Sequence, residues 1–140
     1  LAGEENSSMP DFVIGKIIKS LNLRTKSINK SKILVLGIAY KKNVDDLRES
    51  PGLVILQSLL DLKDNVDYHD PFIKKIPKLR NFTFELNSVE LTSKTLSSYD
   101  CVVLITNHDK LNYDLIQKSS KLIIDTRGVY DKNLQNIVKA

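Results

Sequence analysis

The sequence predicts an α/β fold: a Rossmann-like three-layer α/β/α unit around a mostly parallel sheet, preceded by one helix. Three observations predict it. Short apolar runs at 33–36, 66–69, 101–106 and 122–125 have the length and composition of buried strands. Segments with helical spacing or helix-start residues separate them, which implies right-handed crossovers between parallel strands. The stretch before Lys32 carries a single apolar stripe and then a polar linker, and so has no core of its own.

The elements follow in order. Residues 10–22 place Val13, Ile14, Ile17, Ile18 and Leu21 on one helical face, with Pro10 suited to the first turn. Residues 23–31 have no periodicity and read as a linker. The expected division is therefore 1–30, the end of a separate helical domain with its linker, and 31–140, a complete α/β unit. After the strand at 33–36 comes a long loop, 37–49, and a helix from about Ser50 to Lys63. Ser50 is a good N-cap, Pro51 suits the first helical position, and Leu53, Val54, Leu56, Leu59 and Leu60 supply a buried face. A second strand at 66–69 ends at Asp70-Pro71, and 82–86 is expected to form a third. A capped helix over 92–98 leads to the apolar strand at 101–106, a helix over 113–119 follows, and 122–125 closes the series. Parallel sheets of this kind bind ligands beyond the carboxyl ends of their strands.

Bulk composition excludes several classes. A chain of 140 residues, 41% hydrophobic and 27% charged, is long enough for one main domain with a real core. No run approaches the roughly 18 apolar residues of a membrane span, and the first ten residues have neither a basic start nor an apolar run. A soluble, cytoplasmic protein is expected. One cysteine allows no internal disulfide. The net charge of +4 raises the question of nucleic acid. The acid-free basic stretches, 24–32 and 74–80, fall on connections and lack interleaved aromatics, so they read as solvated lysines and no nucleic-acid partner is expected. A start at Leu1, with a helix that lacks its own core, suggests that the chain begins inside a longer protein.

The most distinctive segment is GIAYKKNVDDLRESP, 37–51, between the first strand and its helix. A dinucleotide-binding turn would carry G-x-G-x-x-G here, and that spacing is absent. Lys41, Lys42 and Arg48 instead surround a helix N-terminus, a way to hold phosphate by side-chain charge and helix dipole. Asp45, Asp46 and Glu49 balance them, so a self-paired surface loop explains the same residues.

This segment, with VDYHDP at 66–71, YDCVVLITNHD at 99–109 and IIDTRGVY at 123–130, resembles the C-terminal, UDP-binding domain of the UDP-glucose/GDP-mannose dehydrogenase family. The opening LAGEENSSMP is similar to the end of that family's central helical domain. KKNVDDLRESP, VDYHDP and SVELT at 88–92 look most like the branch that oxidises UDP-N-acetylglucosamine. The resemblance implies two successive NAD-dependent oxidations at C6 of a UDP-sugar, from alcohol through a thiol-bound aldehyde stage to carboxylate. It puts the nucleophilic cysteine, the base and most of the NAD site in upstream domains, so no catalytic residue is expected in this chain. By the same resemblance Tyr40 and Lys41 contact the nucleotide and diphosphate, Arg127 contacts the substrate, and Arg48 reaches the cofactor side. Tyr40 stands where the family often has phenylalanine. The apolar stripe of the first helix suggests a homodimer of the full-length protein.

Other reactive residues receive quieter readings. Cys101 lies within CVVLI with no cation or helix N-terminus beside it, which favours a buried structural thiol. His108 and Asp109 either line the cleft or cap a turn, and His69 and Asp70 end a strand. Neither pair has metal-site spacing, so no metal is expected. Asp125 either holds Arg127 or forms a turn. G-x-S-x-G is absent, which removes the usual hydrolase signature. The rival to the dehydrogenase reading is a non-catalytic nucleotide-binding module for regulation or assembly.

Overall fold

A computed structural model describes residues 2–130 and 134–140. In chain order they form α1 (Ala2–Leu23), a 3-10 turn (Ile28–Lys30), β1 (Ile33–Leu36), α2 (Pro51–Leu62), β2 (Val66–His69), α3 (Ser93–Ser97), β3 (Cys101–Leu104), α4 (Tyr113–Ser119), β4 (Ile123–Asp125) and β5 (Ile137–Lys139). The strands make one parallel sheet in the order β2-β1-β3-β4-β5.

Strand alternation explains the layers. Ile33, Val35, Cys101, Val103 and Ile124 point to one face and pack with Val13, Ile17 and Leu21 of α1 and Leu53, Leu56 and Leu59 of α2. Leu34, Leu36, Val102, Leu104 and Ile123 point to the other, against Leu96 of α3 and Ile116 of α4. Both faces of the central strands are covered, which is why they read as continuous apolar runs.

Three features differ from expectation. Residues 82–86 form no strand, although Phe82, Phe84 and Leu86 alternate and pack against the α1/α2 core. Just beyond the segment, Asn87 forms an isolated antiparallel bridge with Lys75, and the Val89 N–H donates to the Tyr68 carbonyl at the free edge of β2. Alternation reported half-burial, and the backbone is used to cover an edge instead of extending the sheet. Strand β5 carries little periodic signal, because only two of its three residues are half-buried and the third, Lys139, is exposed. In α2 the buried stripe is Gly52, Leu53, Ile55, Leu56 and Leu59, while Val54 is exposed.

Helix α1 is longer than expected, with Pro10 inside it and not at its first turn. Its stripe, Val13, Ile17 and Leu21, is buried against α2. Ile14 and Ile18, the other two residues of the expected stripe, remain half-buried. No helix among the described residues is long and apolar enough to cross a membrane.

Candidate functional site

Adjacent strands β1 and β3 send their connections to opposite faces, β1 to α2 and β3 to α4. A crevice opens at such a point, beyond the carboxyl ends. The chain packs tightly there. Gly37 has φ +83°, and a Cβ on it would fall on the Thr106 backbone. A Cβ on Gly52 would lie 2.8 Å from the Ile38 Cα. Both glycines let neighbouring backbone approach more closely than any side chain would allow.

Around this close approach sits a buried polar cluster. Asp70, at the end of β2, accepts from the N–H groups of Ile38 (2.9 Å), Ala39 (3.2 Å) and Phe72 (2.8 Å). It also lies 2.9 Å from Nε2 of His108, and both side chains are fully buried. The Asn43 N–H donates to His108 Nδ1 at 2.8 Å, so that nitrogen carries no proton and Nε2 is the ring donor to Asp70. Burial pushes the Asp70 carboxyl up, but hydrogen bonds from His108, Ile38 and Phe72 together hold it below the usual carboxylate range. The Asn43 side chain meets Asp109 twice, donating to Oδ2 at 2.8 Å and accepting from the backbone N–H at 2.9 Å. The sequence places Asp70 at the end of a strand and leaves His108 either lining the cleft or capping a turn, with no link between the two. Their pairing joins residues 38 positions apart, for which spacing offers no signal.

The cations divide by partner. Arg48 is bound to Asp46 through Nε (3.1 Å) and NH2 (2.9 Å), and the side-chain hydrogen bond from Arg48 holds the Asp46 carboxyl at about 2. Lys42 approaches Asp109 at 3.9 Å. Lys41 and Arg127 are exposed and form no ion pair with a described residue. Arg127 leans on Asn107, with Nε 3.4 Å from Oδ1. The two carboxylate oxygens of Asp125 accept the N–H groups of Arg127 and Tyr130, so this residue shapes the turn and does not touch the guanidinium. Tyr40 is 50% exposed. It forms part of a cleft of about 770 Å³ with Arg48, Leu53, Leu79, Arg80 and Phe82. Lys41 and Arg127 lie outside that cleft, on the β1 and β4 loops of the same sheet edge.

Helix α2 offers less to an anion than its position suggested. Ser50 Oγ already accepts from Gly52 N (3.1 Å) and Leu53 N (3.4 Å), and its hydroxyl donates to the Ile38 carbonyl. The dipole remains, while these two N–H groups are occupied. Cys101 is fully buried in β3, and burial pushes its thiol well above the usual range. Among the described residues no three His, Cys, Asp or Glu side chains are grouped to hold a metal.

Comparison with known proteins identifies this architecture. Residues 34–132 match the UDP-glucose/GDP-mannose dehydrogenase family, UDP binding domain. The chain belongs to this family. A UDP-N-acetyl-D-mannosamine dehydrogenase of Methanococcus vannielii is 35% identical over 95% of the chain, and an NDP-N-acetyl-D-galactosaminuronic acid dehydrogenase of Ralstonia nicotianae is 33% identical over 92%. The chain spans 30% and 29% of those two proteins. Among solved structures, a UDP-D-ManNAc dehydrogenase from Pyrococcus horikoshii superposes with a TM-score of 0.74 at 25% identity, covering 95% of this chain and 30% of that one.

Proposed function

We propose that this chain is the UDP-sugar-binding part of an NAD-dependent nucleotide-sugar 6-dehydrogenase, with residues 1–30 ending its central helical domain and the chemistry residing upstream. The carrying observation is that Lys41 and Arg127, exposed and without a carboxylate partner among the described residues, stand on loops at one sheet edge. Lys41 neutralises the substrate diphosphate, Arg127 fixes the rest of the nucleotide, and Tyr40 contributes ring surface. Binding energy from this non-reacting UDP holds the sugar C6 at the catalytic groups of the other domains. Oxidation of the C6 alcohol to a carboxylate delivers two hydrides to NAD and takes one oxygen from water. Arg48 exchanges Asp46 for the cofactor. UDP-N-acetylglucosamine is the substrate indicated by the motifs, and the names of two relatives, one for a UDP-sugar and one for an NDP-sugar, point to nucleotide sugars carrying an N-acetyl group.

Titration calorimetry of UDP into the chain tests this directly. Lys41→Ala is expected to weaken binding by about tenfold to a hundredfold, the worth of one charge-assisted contact. Equal affinity for the two proteins would remove Lys41 from the site.

A further inference from the structure

We infer that the buried Asp70–His108 pair is a positioning device for the diphosphate site, with the tripeptide Asn107-His108-Asp109 setting the spacing between Lys41 and Arg127. The inference rests on the reading of that edge as the UDP site. None of the three residues need touch the ligand.

The geometry is a set of anchors on either side of the cationic tip. On the chain before Tyr40, the N–H groups of Ile38 and Ala39 are fixed by Asp70. Beyond Lys42, the Asn43 N–H is fixed by His108 Nδ1. Only Tyr40, Lys41 and Lys42 lie between these anchors, and the Tyr40 N–H donates across the loop to the Asp46 carbonyl at 2.7 Å. His108 and Asp70 share a hydrogen bond, so the two anchors move as one. The imidazole is fixed in turn by Phe72, with ring centroids 4.8 Å apart, and the Tyr113 hydroxyl donates to the His108 carbonyl at 2.6 Å.

The same tripeptide reaches the second cation. Asn107 contacts the Arg127 guanidinium, and Asp109 pairs with Asn43. Three consecutive residues therefore contact both loops, the one that carries Lys41 and the one that carries Arg127. A diphosphate needs two cations at a fixed separation, and holding them beforehand avoids the ordering cost at binding. Asn43 has φ +64°, a conformation asparagine tolerates, and in this fold it lets one residue present its N–H to His108 and its amide to Asp109.

The experiment is UDP calorimetry on the chain with His108→Phe, His108→Gln and Asn43→Gly, each alone and combined with Lys41→Ala, with thermal unfolding followed in parallel. His108→Phe keeps the ring and loses both hydrogen bonds, and is expected to weaken UDP binding about tenfold. His108→Gln offers one acceptor and one donor and is expected to recover most of that loss. In the Lys41→Ala background the His108→Phe loss should largely vanish, since a positioning residue acts through the cation it places. Asn43→Gly keeps the left-handed backbone and removes only the link to Asp109, giving a smaller loss without a change in unfolding temperature, and it carries the test if His108→Phe does not fold. Wild-type affinity in Asn43→Gly, or His108 and Lys41 losses that simply add, overturns the positioning role while leaving the diphosphate site standing. No UDP binding by the wild-type chain overturns both.

Discussion

Two pairs border the β1–α2 loop with the same separation. Asp70 meets His108 at 2.9 Å with neither side chain exposed, and Asp46 meets Arg48 at 2.9 Å with 88% of the Arg48 side chain in solvent. Distance alone would rank them as equals. Burial separates them, because a buried polar group that loses its partner cannot turn to water, whereas an exposed one can. The first pair therefore fixes the shape of the loop, and the second holds a cation in a place from which it can be recruited.

That difference is breakable by mutation. Asp70→Ala would strand three backbone N–H groups and the His108 ring, and is expected to cost about 3–5 kcal/mol of unfolding free energy in urea denaturation. A loss near zero would mean that water replaces the carboxylate and that the site edge is not held as described. Arg48→Ala should leave the unfolding midpoint unchanged, because an exposed ion pair competes with solvent and salt. A clear drop in the midpoint would place Arg48 among the structural residues and weaken its reading as a cofactor contact.

The same contrast explains what the sequence could convey. Local features were legible. Ser50 caps α2 with Pro51 at its first position, and Thr92 and Asn112 cap α3 and α4 with side chains that accept from N–H groups three residues on. The first of these was read from residue order, and so was the helix after Thr92. The strands at 33–36 and 66–69 came from runs buried on one or both faces. Features that depend on distant partners were not legible. Val13, Ile17 and Leu21 give the same stripe whether they pack on α2 or on another molecule. Phe82 and Phe84 give the same alternation whether or not a ladder forms. Asp70 ends a strand beside Pro71, and nothing near it in sequence points to His108. By charge and spacing alone Lys41, Lys42 and Arg48 are equivalent cations; only the positions of Asp46 and Asp109 show which of them are paired within the chain.

Uridine diphosphate is expected to bind at the carboxyl edge between the β1, β3 and β4 loops. Backbone amide chemical shifts of the 15N-labelled chain, followed during a UDP titration, report on it most directly. Saturating shifts are expected at Tyr40 to Asn43, Asn107 to Asp109 and Thr126 to Gly128. Saturating shifts confined to the far side of the cleft, at Leu79 to Phe82, or spectra unchanged by millimolar UDP, would contradict it.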